Sequence, residues 1–328
     1  MFAAFYENQG SAADVLKTGK VAMPVVGAGD VMVRIVFSGL NPSDIKVRTG
    51  FLGPMQYERI IPHQDGSGVI VELGDGVDPG RLGQRVWVYQ AQYGHAYGTA
   101  AEFVVVPAEQ AVPLPENTSF EIGASLGVAA LTAHRCLFAD GDIRGLRVLV
   151  HGGAGVVGEA AIQLAKWAGA WVVTTVRDPA DVENVRSKGA DLVILMTEQN
   201  VVDEIRRATD GGGVDRIVEV DLLANLEKNL NSINSGGTIS TYAVTGGHEL
   251  TPLPVLSAIR GNYVFRFVYV YTIPELAKKQ AIEAINACLI AGSYHPTIGL
   301  KVPLDHISRA HQALESRTVK GKVLIQVA

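Results

Sequence analysis

Cysteine is nearly missing from this chain: Cys136 and Cys288 are the only two among 328 residues. They lie far apart, and neither has a neighbour at the short spacing of metal-ligand pairs. A disulfide framework is therefore excluded, and the two read as buried small hydrophobes in a reducing compartment. Also lacking is any apolar run near the roughly 20 residues that a membrane helix needs. The segment from Met1 to Asn8 has no basic stretch leading into a long apolar one, so it does not read as a signal peptide. Positive charge is not in excess either. Lys and Arg number 28 against 33 Asp and Glu, a net charge of −5, which offers no footing for a nucleic-acid partner. The expected setting is cytoplasmic, with neither a membrane nor a nucleic acid as partner.

What is present is core-forming material. Hydrophobic residues make up 48% and charged residues 19%, in a chain about twice the usual domain length, so two domains are expected. The first 121 residues read as β-rich: Val31–Phe37, Gly68–Leu73 and Arg85–Tyr89 are short apolar and β-branched runs separated by turns such as Asp78-Pro-Gly. Beyond them the texture alternates. Strands are expected at Leu146–Val150, Trp171–Val176, Leu192–Leu195, Arg216–Val220, Thr238–Tyr242 and Tyr263–Val270, with helical stretches between them. Six strands alternating with helices predict an α/β doubly wound parallel sheet. A helix is expected over Glu275–Ala291, burying Ala281, Ile282, Ile285, Cys288 and Leu289.

The first strand–helix junction carries Gly153-Ala154-Gly155-Val156-Val157-Gly158. Glycines at this spacing allow a tight turn, close approach of backbone to a pyrophosphate, and close packing of helix on sheet. The helix N-terminus then offers free N–H groups to the phosphates. These six residues are the candidate dinucleotide site. Proteins that prefer NAD place Asp or Glu at the end of the second strand, about 20 residues on, to bond the ribose hydroxyl. That position here is Val176, and Arg177 follows it. An arginine fork suits a 2′-phosphate, so the expected cofactor is NADPH, with Thr175 and Arg177 beside its adenosine end.

The segments Gly39-Leu-Asn-Pro-Ser-Asp, Asp65-Gly-Ser-Gly-Val, Gly83-Gln-Arg-Val-Trp, Leu126-Gly-Val-Ala-Ala-Leu-Thr-Ala, His151-Gly-Gly-Ala-Gly and Lys320-Gly-Lys-Val-Leu-Ile carry a further likeness. Through them the chain resembles, over essentially its whole length, the quinone oxidoreductase and zeta-crystallin-like branch of the medium-chain dehydrogenase/reductase superfamily. The resemblance implies a GroES-like catalytic domain over 1–121, completed by 266–328, and a Rossmann domain over 122–265. It also implies a homodimer or homotetramer joined through the Rossmann sheets. Where zinc alcohol dehydrogenases of the superfamily hold their metal with cysteine and histidine, this chain aligns Asn41 and Gln64. Neutral amides are poor ligands for tetrahedral Zn²⁺, so no metal site is expected.

The same resemblance places Asn41, and Thr132 of the Leu-Thr-Ala run, beside the nicotinamide. It adds Tyr242 and Ala243 after the fifth strand, and Phe267, Val268 and Tyr269, as cofactor contacts. Thr132 equally suits a helix threonine bonded to its own backbone. The run Phe265–Tyr271 equally suits an edge strand that pairs with a second copy. Lys46 and Leu52 stand where relatives have tyrosines lining the quinone site, and Leu223 replaces an asparagine. Lys46 is either a solvated lysine or a donor aimed at a substrate oxygen. The expected activity is NADPH-dependent reduction of a quinone or an α,β-unsaturated carbonyl, with Asn41, Lys46 and Thr132 orienting the acceptor oxygen. Alternatives are an enoyl-thioester reductase and a non-enzymatic NADPH-binding protein.

Overall fold

The computed structural model describes residues 1–244 and 252–328. They form two compact units: Met1–Val128 with Pro296–Ala328, and Ala129–His295. Both boundaries lie further along the chain than the expected 121 and 265. The helix Glu275–Ile290 packs against the helix Val156–Trp167, and His295 N–H donates to Gln163 Oε1 at 2.5 Å, which keeps the chain in the second unit up to that point.

The first unit is built on a mostly antiparallel sheet whose centre is the strand Asp30–Leu40. Its neighbours are Asp65–Leu73, Phe103–Pro107 and Lys322–Gln326. Within the central strand Val33, Ile35 and Phe37 are buried while Arg34 is exposed and Val36 half-buried, the period of two expected of a strand with one covered face. Val31, Val33, Ile35, Ile70, Val86, Val88, Val104 and Val106 interlock as one core. Register decides what meets at the end of the central strand. Gly39 pairs with Asp65 and Leu40 with Val323, which brings Asn41, Asp65 and Lys322 to one place from three distant stretches of chain.

The second unit holds six parallel strands: β1 (Arg147–Val150), β2 (Trp171–Val176), β3 (Leu192–Leu195), β4 (Val214–Glu219), β5 (Ile233–Thr241) and β6 (Val264–Phe267). Their spatial order is 3-2-1-4-5-6. The order reverses between β1 and β4, and ligands of such sheets bind outside the carboxyl ends of the strands at that switch point. Leu149, Val173, Ile194, Ile217 and Ile239 form the centre of its core. The helix Glu275–Ile290 buries Ala281, Ile285, Cys288 and Leu289 as its periodicity requires, with Ile282 half-buried. β6 stops short of the expected Val270. Val268 N–H still reaches Thr241 O at 2.8 Å, but β5 ends there, and with no further partner backbone among the described residues the chain turns at Val270–Thr272. Among the described residues no helix is long and apolar enough to cross a membrane.

Candidate active site

The glycine turn leaves β1 at the switch point. Gly153 and Gly158 are required by packing, since a Cβ on either would strike Thr174 Oγ1 or the Gly152 carbonyl respectively. Gly155 is different. Its φ of −81° suits any residue, and an added Cβ would meet only Gly152 O at 3.3 Å. Only that carbonyl, which a Cβ would crowd slightly, stands beside it, and the remaining space is open on the exposed side of the turn. Gly155 is also the N-cap of the helix Val156–Trp167 and supplies no capping side chain. The first-turn N–H groups of Val156, Val157 and Gly158 thus have no partner within the helix and, at the positive end of its dipole, suit an anion. Half-buried Ala154 completes the turn.

Thr175 is fully buried in β2. Its hydroxyl accepts Gly152 N–H at 3.2 Å and its carbonyl accepts Gly153 N–H at 3.0 Å. The expectation of direct cofactor contact by this side chain is therefore replaced by support of the turn from beneath. Arg177 is exposed just past β2 and has no hydrogen-bond or ion-pair partner among the described residues. Neighbouring Asp178 is turned back on the chain, accepting Ala180 N–H at 2.9 Å.

Thr132 lies 96% buried in the helix Gly127–Phe138, yet its hydroxyl forms no bond to the preceding turn. The self-bonded helix threonine is not what the fold contains. At the end of β5, Thr241 Oγ1 is likewise buried without a partner among the described residues. Tyr242 and Ala243, next along, are half-buried. Phe267 and Tyr269 are exposed while Val268 is buried, as adjacent residues at a strand end must alternate. Leu223 is exposed on its helix.

In the first unit, Asn41 opens the helix Pro42–Arg48, and its N–H donates to Asp44 Oδ2 at 2.7 Å. Its amide is fully engaged. Nδ2 donates to Asp65 Oδ2 at 2.9 Å and to Gly39 O at 3.4 Å, while Oδ1 accepts from Lys322 Nζ at 2.7 Å. Asn41 was expected to orient an acceptor oxygen; both amide hydrogens are instead spent inward. Lys322 also donates to Asp65 Oδ2 at 2.9 Å, and Val128 N–H donates to Asp65 Oδ1 at 2.9 Å. Gln64 is closed off as well: its Nε2 donates to Gln92 Oε1 at 3.0 Å and its Oε1 accepts Gln92 N–H at 3.2 Å. Lys46 is half-buried, with its ammonium 5.2 Å from the Phe51 ring centroid. Phe51, Leu52, Tyr93 and Tyr97 are exposed.

His63, beside Gln64 in the chain, has a partner no local pattern announced. Its Nε2 lies 3.0 Å from His311 Nε2. Arg48 Nε donates to His311 Nδ1 at 3.3 Å, so His311 carries its proton on Nε2 and donates it to His63. His63 Nδ1–H then donates to Ser38 Oγ at 2.8 Å. Burial holds both rings well below the ordinary histidine pKa, His311 at about 3. Arg48 cannot pass a proton, so this buried chain fixes structure and conducts nothing.

This geometry has known counterparts. Residues 27–116 match the alcohol dehydrogenase GroES-like domain, and 156–287 the family described as zinc-binding dehydrogenase. Rat (Rattus norvegicus) quinone oxidoreductase is 30% identical over 315 residues, covering 95% of this chain and 94% of the relative. The chain belongs to the quinone oxidoreductase family. That makes it a medium-chain dehydrogenase/reductase and an oxidoreductase. Among solved structures, an NAD-dependent alcohol dehydrogenase superposes with a TM-score of 0.88 at 27% identity, covering 100% of both chains. A mycobacterial protein solved as a complex with NADPH superposes with a TM-score of 0.85 at 25% identity, again over 100% of both. Membership of the quinone oxidoreductase family implies a nicotinamide cofactor, and the open turn at Gly155 fits its pyrophosphate.

Proposed function

We propose that the protein is a zinc-independent, NADPH-dependent reductase of quinones or α,β-unsaturated carbonyls. The observation that carries this reading is the closed polar cluster at Asn41. Both amides that stand in the metal-ligand positions are engaged by other side chains, and the ammonium of Lys322 lies 2.7 Å from Asn41 Oδ1. A buried cation there repels Zn²⁺, and the donor set of two amides does not fit it. Without a Lewis acid to polarise an alcohol, an acceptor that is already electron-poor is the substrate this site suits. When bound, NADPH supplies a hydride from C4 of its nicotinamide.

The chain's own residues divide the remaining work. The N–H groups of Gly155–Gly158 hold the pyrophosphate, and Arg177 holds the 2′-phosphate. Thr241, whose buried hydroxyl lacks a partner among the described residues, and Thr132, a largely buried residue, offer bonds to the nicotinamide end. Lys46 donates to the acceptor oxygen and stabilises charge developing on it, against the aromatic surface of Phe51. The protein assembles as a homodimer through the edge of β6, which has no further strand beside it among the described residues. Phe267 is 68% exposed there, and Val255, Leu256 and Ile259 on the helix Val255–Gly261 are comparably bare, more apolar surface than a sheet edge leaves to water.

The test is a panel of acceptors. With NADPH, quinones or conjugated enones should be turned over, and primary alcohols with NADP⁺ should not. Robust alcohol oxidation with no quinone or enone turnover would overturn the reading, and enoyl thioesters form the arm that narrows the acceptor.

A further inference from the structure

Beneath the glycine turn lies a buried set of polar groups whose directions can be read in full. Glu219, at the end of β4, is completely buried. Its Oε2 accepts from Asn229 Nδ2 at 2.5 Å, and its Oε1 accepts from Asp221 N–H at 2.5 Å and Asn225 Nδ2 at 3.1 Å. Because Asn229 donates through its nitrogen to Glu219, it presents Oδ1 to His151, whose Nε2 lies 2.8 Å away and must donate. His151 therefore has a bare Nδ1. That nitrogen is 3.2 Å from Thr175 Oγ1, and only the threonine O–H can serve as donor. With its hydrogen committed to His151, Thr175 Oγ1 has only lone pairs left for Gly152 N–H, 3.2 Å away.

Each link thus dictates the next, from the carboxylate at the end of β4, across the first residue after β1, to β2 and back to the turn. Gly152 has φ +68°, the left-handed region that lets its N–H turn toward β2. Exposed Gly152 and buried Gly153 are both held by this one threonine, through side chain and main chain.

We infer that Thr175 and His151, anchored by Asn229 and Glu219, are positioning residues for dinucleotide binding: they set the glycine turn in the conformation that presents its open side to the pyrophosphate. This rests on the nicotinamide-dinucleotide reading of the site. None of the four touches the cofactor; they act through Gly152 and Gly153. Pre-set backbone donors spare the ordering cost that a loose turn pays on binding.

The experiment compares Thr175→Val, Thr175→Ser and His151→Phe with wild type, measuring NADPH affinity by calorimetry and thermal unfolding in parallel. Adenosine 2′-monophosphate, which has the adenosine end and no pyrophosphate, is the control ligand. Thr175→Val should weaken NADPH about tenfold, the size of one lost hydrogen bond, with adenosine 2′-monophosphate unchanged. Thr175→Ser should restore affinity, because it keeps the hydroxyl. His151→Phe should cause a smaller loss, and the double variant Thr175→Val/His151→Phe should bind no worse than Thr175→Val alone, since both break one chain. Equal losses for both ligands, or unchanged NADPH affinity in folded Thr175→Val, overturn the inference. If Thr175→Val does not fold, unchanged affinity in folded His151→Phe overturns it, and a selective NADPH loss there upholds it. Wild-type protein that binds no dinucleotide sinks the cofactor reading itself, and this inference with it.

Discussion

Arg177 leaves β2 exposed and unpaired among the described residues, while buried, apolar Val176 stands where NAD-preferring sheets place a carboxylate. A charge-assisted contact to phosphate is worth roughly 1.5–3 kcal/mol, which is about ten- to a hundredfold in affinity. Arg177→Ala should therefore weaken NADPH about tenfold or more and barely change NADH. Equal dissociation constants for the two cofactors in the wild type would end this assignment. The exposed position of Arg177 was legible because it needs only its place in one strand–turn unit. Asn41 was half legible. Its replacement of a metal-binding cysteine could be read directly, but its inward orientation depends on Lys322, which reaches it only through the register of a strand some 280 positions later. A lysine heading the apolar run Val323-Leu-Ile was the available signal. From the same cluster, purified protein is expected to lack stoichiometric zinc and to keep its activity in the presence of chelators. One zinc per chain by elemental analysis, with activity lost on chelation, would refute that.

The turn after β1 is the element on which the proposed dinucleotide binding depends, and its glycines differ in what they do. Gly155→Val meets no protein atom closer than 3.3 Å at its Cβ, and its φ of −81° is ordinary. The variant should fold with little change in thermal stability, yet lose dinucleotide binding, because its side chain fills the space the pyrophosphate needs. Undiminished NADPH affinity in the folded variant would move the site elsewhere. Gly158→Val should instead destabilise the unit, since its Cβ runs into the Gly152 carbonyl. The alternation of strands and helices was readable from periodicity, and β2 and β3 have the ends expected of them. β6 was misjudged in length. Its β-branched and aromatic run has the propensity to continue, but a strand extends only as far as its neighbour's backbone, and β5 stops at Thr241.

At the scale of the whole molecule, buried histidines set the response to acid. His63, His134, His151 and His311 all have depressed pKa values, primarily through burial, with His134 at about 4 and His311 at about 3. The unfolded chain binds protons at these four sites below about pH 6.5, whereas the folded one takes them up only at lower pH. Their contribution to stability is therefore complete above that pH and is lost as pH falls toward 4. Asp44 acts in the opposite sense: burial raises its pKa to about 8, so folding gains as it is protonated. Each site changes stability by at most about 1.4 kcal/mol per pH unit, and four histidines outweigh one aspartate. Urea midpoints should fall markedly between pH 7 and pH 5, and a midpoint equal or higher at pH 5 would show the count to be wrong. Assembly is checked separately: light scattering should give twice the chain mass, with Phe267→Asp shifting it toward one.

The two units also differ in when they can exist. The second is one continuous stretch, Ala129–His295, whereas the first needs Pro296–Ala328 as well. On the ribosome the Rossmann sheet can close as soon as its own residues emerge. The earlier-made sheet must wait with one edge of the end of Asp30–Leu40 unpaired and with Asp65 lacking its ammonium, until Lys322–Gln326 is synthesised. A polypeptide stalled after residue 295 should thus protect its second unit from protease and leave residues 1–128 open to cleavage. In the cell, that waiting interval is when a chaperone has an unpaired edge to hold.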